Sequence, residues 1–277
     1  MDYRPGLPKR NVNISHEHPL KEFFVLLAGT IGVVVVVFVI VGLFVDTAVQ
    51  YIDPEVERQL FGVDGRDDDK PLTEPEQELQ SLLDQLGNCV DVAYPVTVRI
   101  SESSDMNAFA RLGGRVTVLS GLLDRVKTEN GIAFVLAHEL GHFKSRDHLR
   151  SIGRALVLLA ASVALTGANS DVSNIMTPVY SVETARFSQE RERAADATAL
   201  QALNCYYGHV GGATEFFELM VEPGDDLEWS LTHYFSSHPE PQDRIDDLRA
   251  LTEELGFRES GVTTPGRIGR PISKAPR

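Results

Sequence analysis

Residues 129–145 have the sequence ENGIAFVLAHELGHFKS, and this stretch decides the fold. Its apolar residues recur at helical spacing, so the pattern predicts one strong helix. The buried face carries Ile132, Val135, Leu136, Leu140 and Phe143. Thr128 and Glu129 suit the N-terminus of that helix. His138 and His142 are four residues apart, which places both imidazoles on one face, one turn from each other.

Within this helix, residues 138–142 form an H-E-x-x-H sequence. Two imidazoles on one helix face can bind one Zn²⁺, and Glu139 is rotated off the metal, where it can act on water as a general base. The alternative is two surface histidines. The face is otherwise apolar, and burying two histidines and a carboxylate without partners would be costly, so we favour a metal site.

A catalytic zinc needs a third protein ligand, and the sequence offers two candidates. His148 lies ten residues after His138, but Ser145 stands where that arrangement needs a glycine to turn the chain. Glu192 begins an E-x-x-x-D sequence on a second long helix, so that Asp196 lies on the same face. We favour Glu192 as the ligand, with Asp196 holding a zinc-bound imidazole by its free N–H.

Four motifs in this order resemble the zinc metallopeptidases that include HtpX, BepA and the CAAX prenyl endopeptidases. The resemblance covers roughly residues 75–255. The motifs are Asn107-Ala-Phe-Ala110 with Gly113-Gly114 and Val116 to Leu123, then His138 to His142, Glu192 to Asp196, and Ser237-His238-Pro239 with Arg244-Ile245.

The resemblance implies an α+β, mostly helical fold of the gluzincin type, with a small β-sheet. It implies an endopeptidase with Glu192 as the third ligand of one zinc ion per chain. It also suggests that His238 faces the active site and stabilises the oxyanion, and that Arg244 pairs with a carboxylate such as Asp196. HtpX and the prenyl enzymes are multi-span proteins, whereas one convincing span here favours a periplasmic domain resembling BepA.

The apolar run at residues 23–45 contains no charged side chain. A helix of that length rises about 34 Å, enough to cross a ~30 Å hydrocarbon core. A buried core helix and a cleaved signal peptide are the alternatives. The run is longer than a signal-peptide core, and residues 46–48 match a cleavage site poorly. We therefore predict one N-terminal transmembrane helix that is not removed.

Basic residues are concentrated before this run: Arg4, Lys9, Arg10 and Lys21. In the 20 residues after it the one basic residue is Arg58. The positive-inside rule places residues 1–22 in the cytoplasm and the remainder in the periplasm or another extracytoplasmic space. Disulfides persist there, so Cys89 and Cys205 either pair or remain two buried thiols.

The chain of 277 residues carries a net charge of −14, which argues against nucleic-acid binding. We expect an acidic linker at 46–75, the peptidase domain at 76–257 and a disordered basic tail at 258–277. A 14-residue apolar run at 155–168 is too short to span a membrane and predicts a core helix, with contact to the outer leaflet as the alternative.

Two strands are expected, at residues 95–100 and 115–119, the second as an edge for an extended or unfolded polypeptide substrate. The predicted substrate-binding residues are Asn107, Ala108, Phe109, Val116, Thr117 and Val118. The competing hypothesis is a membrane-tethered chaperone or assembly factor with a structural zinc site. Glu139 favours the enzyme, because a structural site needs no base.

Overall fold

A computed structural model describes residues 19–61, 70–92, 95–153, 156, 189–221 and 244–266. Several sequence predictions fall outside this part of the chain: His238, the core helix at 155–168 apart from residue 156, and the parts of the N-terminal segment, linker and tail at 1–18, 62–69 and 267–277. The chain divides into two compact units at the boundary between Asp46 and Thr47.

The helices and strands follow one another in chain order. They are α1 (Pro19–Gln50), α2 (Pro54–Phe61), α3 (Glu74–Gly87), β1 (Thr97–Ser101), β2 (Ala108–Arg111), β3 (Arg115–Leu119), α4 (Ser120–Arg125), α5 (Glu129–Ser145), α6 (Gln189–Tyr207), α7 (Glu215–Val221) and α8 (Arg244–Glu254). This mostly helical chain with one small sheet matches the predicted α+β class.

The first unit contains α1 as far as Asp46. Large apolar side chains are exposed along it, among them Phe23, Phe24, Leu26, Val36 and Ile40. Within the described residues, no helix combines the length and the apolar character that crossing a membrane requires.

The second unit contains a three-stranded sheet in the order β1-β3-β2. β3 pairs in parallel with β1 and antiparallel with β2. Gly113 and Gly114, with φ angles of 79° and 82°, turn the chain back between β2 and β3. Those angles suit glycine, which lacks the Cβ that makes them costly for other residues.

The prediction that the strand at Val116 to Leu119 offers an open edge is wrong. β3 is the central strand, and Val116, Thr117 and Val118 are buried at 0%, 5% and 0% exposure. Both edges of β3 are already paired, with β1 and β2, so β3 offers no free edge to an extended substrate. Strand β2 was not predicted, and it lies at an edge of this sheet among the described residues.

Helix α5 has the bounds that the sequence predicts, and Thr128 caps it by accepting a 3.0 Å hydrogen bond from the amide of Gly131. Every residue from Asn130 to Phe143 is buried. The helix contacts α6 along its length and also contacts α3 and β2. Helix α5 is thus the central helix of the core. Its side chains pack against neighbouring elements on several faces, which fixes their positions.

The ends of the domain differ from the expected linker and tail. The linker region contains α2, whose Glu57 is fully buried. At the other end, residues 258–266 hydrogen-bond to the domain instead of being free. Arg258 and Thr264 accept from the amides of Val210 and Glu129, and the amide of Gly266 donates to Lys127.

Cys89 and Cys205 form a disulfide, which settles the alternative that the sequence left open. Cys89 lies two residues after the end of α3, and Cys205 lies in the last turns of α6. The disulfide joins two residues that are 116 positions apart in the sequence. It therefore ties the helix that carries Glu192 and Asp196 to α3.

Candidate metal centre

Three side chains that can ligate a metal converge in the core: His138, His142 and Glu192. Their ligand atoms all lie within 4.8 Å of one another, and all three residues are buried. The two histidines come from α5 and the glutamate from the first turn of α6. Of the two third ligands considered from the sequence, the structure therefore brings Glu192 to the histidines.

The spacing of these atoms fits zinc. Nε2 of His142 lies 3.1 Å from Nε2 of His138, and the carboxylate oxygens of Glu192 lie 3.5 Å from each of these nitrogens. Two ligands on one tetrahedral zinc ion at about 2.0–2.1 Å lie about 3.3 Å apart. The donor set of two imidazoles and one carboxylate is also one that catalytic zinc uses.

Gly141 allows α5 and α6 to approach closely enough for this convergence. A Cβ at Gly141 would lie 2.8 Å from Cα of Ala195 and 3.2 Å from its Cβ. Atoms in contact need more room than that, so any larger residue at position 141 would push the helices apart. This packing role of Gly141 was not predicted, although Gly141 is the fourth residue of the H-E-x-x-H sequence.

Each histidine is oriented by a carboxylate on its other ring nitrogen. Asp196 lies 2.9 Å from Nδ1 of His138, as predicted, and Asp147 lies 3.0 Å from Nδ1 of His142. An Nδ1–H held by a carboxylate leaves the Nε2 lone pair for the metal and fixes the ring. Asp147 was not predicted, although a carboxylate just after the helix end was the available signal.

Arg244 pairs with Asp196, as the resemblance suggested. Its Nε and one terminal nitrogen donate to the two Asp196 oxygens at 2.9 and 2.8 Å, and its other terminal nitrogen lies 2.7 Å from Glu192. Burial alone would raise the pKa of Asp196, but the positive charge of Arg244 and the hydrogen bond from His138 lower it. Asp196 is therefore held as a carboxylate.

The surroundings of His138 favour positive charge. Burial alone would lower its pKa, but hydrogen bonds to Asp196 and Glu192 outweigh burial and the opposing charge of Arg244, and raise the pKa to about 9. A buried position that stabilises a protonated imidazole is also one that stabilises a bound cation.

Glu139 contacts the sheet. Its Oε2 accepts a 2.7 Å hydrogen bond from the backbone amide of Ala110 in β2. The carboxylate is buried and adjacent in sequence to a ligand, but it is not a member of the ligand cluster. This placement fits a general base beside the metal.

His148 has a different role from the one considered in the sequence. Its Nε2 lies 2.6 Å from Glu57, and its ring packs edge-on against Phe143 with centroids 5.1 Å apart. The described metal cluster does not include it. The structure therefore favours Glu192 over His148, the less favoured of the two candidates for third ligand.

Sequence comparisons with known proteins identify the family to which the chain belongs. The model of the family described as Peptidase family M48 matches residues 73–252. The chain is 26% identical over 187 residues to Metalloprotease LoiP of Escherichia coli, which covers 66% of this chain and 72% of that protein. It is 29% identical over 243 residues to Protease HtpX homolog 1 of Streptomyces coelicolor, covering 71% and 77%. A Putative beta-barrel assembly-enhancing protease of Vibrio cholerae is 26% identical over 189 residues, covering 62% and 38%.

The chain thus belongs to Peptidase family M48. It is a zinc metalloendopeptidase, and His138, His142 and Glu192 can hold the zinc ion. The predicted resemblance, enzyme class and cofactor are confirmed.

Proposed function

We propose that this enzyme is a membrane-attached endopeptidase that cleaves extended segments of unfolded protein in the cell envelope. The observation that carries the proposal is the contact between Glu139 and the amide of Ala110. This contact places the candidate base at the edge strand β2, and the base is adjacent in sequence to the zinc ligand His138. A substrate strand lying along β2 would therefore bring its peptide bonds to the base.

Substrate recognition by strand addition reads the backbone of the substrate more than its side chains. The edge strand β2 replaces β3 as the proposed docking strand, which retains Asn107, Ala108 and Phe109 from the predicted set. Phe109 is partly exposed, and Arg111 lies over its ring at 5.0 Å. Recognition through backbone favours unfolded or extended polypeptides, because folded proteins rarely offer an unpaired segment.

In the proposed reaction, Glu139 takes a proton from the attacking water and delivers it to the leaving amine. Zinc, when bound, supplies a Lewis acid that polarises the scissile carbonyl and lowers the pKa of water. Asp196 and Asp147 hold the two imidazoles in one tautomer, while Arg244 balances the charge of Glu192 and Asp196. His238 remains a proposal as the stabiliser of the oxyanion.

Membrane attachment is proposed through α1. Residues 23–45 carry no charged side chain, and many of their large apolar side chains, such as Phe24, Leu26 and Ile40, are exposed along the helix. Exposed apolar surface of this extent marks a site of membrane or protein interaction. The Cys89–Cys205 disulfide supports an oxidising compartment for the peptidase, and the basic N-terminal flank supports a cytoplasmic N-terminus.

Membrane attachment is tested by alkaline extraction of membranes from cells that express the full chain. The wild type should stay in the pellet, whereas the double variant Val36→Lys, Ile40→Lys should be released. The matched control Val36→Leu, Ile40→Leu should behave as the wild type. Release of the wild type itself would contradict the proposal.

Peptidase activity is tested with the full chain purified in detergent and loaded with zinc. The substrates are one protein in two states, reduced and alkylated or natively folded. We expect cleavage of the unfolded state, little cleavage of the folded state, and loss of cleavage on chelation with recovery on zinc addition. Binding of the unfolded protein without any cleavage would favour the chaperone hypothesis instead.

A further inference from the structure

Glu57 is a buried charged residue that the catalytic site does not use. It lies in α2, before the residues that match the family model, and its side chain is fully buried. Its Oε1 lies 2.6 Å from Nε2 of His148, and its Oε2 accepts a 3.1 Å hydrogen bond from Arg146. Burying a carboxylate costs several kcal/mol unless such partners compensate, so these contacts hold α2 in one position.

The partners of Glu57 lie on either side of Asp147 in the sequence. Asp147 in turn holds Nδ1 of His142, with a distance of 3.0 Å. A three-residue segment therefore carries two kinds of contact. Arg146 and His148 contact Glu57, and Asp147 contacts a zinc ligand.

Arg146 forms a left-handed turn at the C-terminal end of α5. It is the one non-glycine residue with positive φ in the described chain, at 53°, and it separates α5 from helical residues 147–153. Its guanidinium also donates to the carbonyl oxygens of Val49, at 3.0 Å, and Ile52. A left-handed arginine is unfavourable by itself, so contacts from residues 49–57 stabilise the turn.

We propose that residues 47–61 are a positioning element of the zinc site, with Glu57 as its positioning residue. Glu57 fixes Arg146 and His148, which fix Asp147, which fixes the imidazole of His142. Zinc affinity then depends on residues that precede the peptidase domain and that begin in the last turn of α1. This inference rests on the proposed function in that the same zinc site performs the hydrolysis.

The first test uses the full chain in detergent and measures zinc affinity by competition with a chelator. Direct carboxylate partners of zinc-bound histidines contribute about 10–100-fold to metal affinity or activity. Glu57 acts one contact further away, so Glu57→Gln should weaken zinc binding by about 3–10-fold. The exposed Glu55 of the same helix provides the control, and Glu55→Gln should leave the affinity unchanged.

A double variant tests the route through Asp147. If Glu57 acts through Asp147, then Glu57→Gln added to Asp147→Asn should weaken zinc binding no further than Asp147→Asn alone. Additive losses would overturn the proposal. So would a lower melting temperature of Glu57→Gln with unchanged zinc affinity, because that result indicates a role in stability alone.

Arg146→Gly provides a second variant in case Glu57→Gln does not fold. Glycine accepts the left-handed conformation without strain, so this change removes the guanidinium and keeps the turn available. It should weaken zinc binding to a similar extent, and unchanged affinity would overturn the proposal. Zinc titration needs no peptide cleavage, so a wild type that binds zinc but cleaves nothing would refute the proposed function and leave this inference standing.

Discussion

The backbone amide of Ala110 donates a 2.7 Å hydrogen bond to the carboxylate of Glu139. This contact joins the edge of the sheet to the helix that carries both zinc-binding histidines. The proposed docking strand β2 and the proposed base are thus in direct contact, so that Glu139 would be held in place before substrate arrives. Such preorganisation reduces the cost of orienting the group during reaction.

Replacing Glu139 with glutamine should separate catalysis from metal binding. Glutamine keeps the size of the side chain and an oxygen that can accept from Ala110, but it cannot take a proton at neutral pH. General-base help is worth about 10²–10⁴-fold, so we expect cleavage to fall by at least about 10²-fold. Zinc content and melting temperature should stay close to those of the wild type. Steady-state cleavage of an unfolded protein and metal analysis measure the two effects.

Glu129 provides the matched control, since it lies in the same helix and accepts a hydrogen bond from Tyr207 through one oxygen. Glu129→Gln should cleave as the wild type does. If Glu139→Gln also cleaves at the wild-type rate, Glu139 is not the base and the proposed mechanism is wrong.

Gly141→Ala should lower both the stability of the fold and the affinity for zinc, although it changes none of the zinc-binding side chains. The added methyl group would lie 2.8 Å from Cα of Ala195, so α5 and α6 must move apart. Overpacking of this kind costs about 1–3 kcal/mol of folding free energy. It should also draw Glu192 away from the histidines and weaken zinc binding. Denaturant unfolding and chelator competition measure the two losses.

Gly87 in α3 provides the control for this substitution. A Cβ at Gly87 would meet nothing within 4 Å, so Gly87→Ala should leave zinc binding unchanged and stability equal or slightly higher. Equal behaviour of Gly141→Ala and Gly87→Ala would show that the close approach of the two helices does not matter for the site.

Local sequence patterns were sufficient to predict much of the candidate site. The apolar period and the Thr128 cap placed α5 at its observed bounds, because both signals act within a few residues. The i, i+4 spacing put His138 and His142 on one face for the same reason. The E-x-x-x-D spacing of Glu192 and Asp196 likewise gave two carboxylates on one face of α6.

Relations between distant segments could not be predicted in this way. β2 has four residues and little alternation, and its position outside β3 depends on the parallel pairing of β1 with β3. A short strand followed by Gly113-Gly114 was nevertheless a usable hairpin signal. The contact between Glu57 and His148 has no local signature, because 91 residues separate them.

The identity of the third ligand is open to direct measurement. Glu192→Ala should weaken zinc binding greatly, because it leaves two histidines to hold the ion. The neighbouring Glu190 is exposed, and Glu190→Ala should have no effect. Zinc content after dialysis against a weak chelator distinguishes these outcomes. Full zinc retention by Glu192→Ala would show that another group completes the site.

Glu76 should give the folded domain a defined dependence on pH. It is buried at the start of α3, where its carboxylate accepts hydrogen bonds from the amides of Thr73, at 2.8 Å, and Ile100, at 3.0 Å. Burial alone would raise its pKa, but these bonds, the Thr73 hydroxyl and the charge of Arg99 lower it below 4.5. The charged form is therefore favoured in the folded state.

Because the folded pKa of Glu76 is the lower one, its stabilisation is fully present above about pH 4.5 and is lost as the pH falls through the folded pKa. Hydrogen bonds to a charged group contribute about 1.5–3 kcal/mol each, so Glu76→Gln should destabilise the domain by about 1–3 kcal/mol at pH 7. The difference in unfolding free energy between the variant and the wild type should be constant down to about pH 5 and should shrink below that pH.

Denaturant unfolding across this pH range measures the difference. The control is Glu78→Gln, at an exposed position of the same helix. A difference that stays constant down to pH 3 would show that Glu76 does not act through its charge.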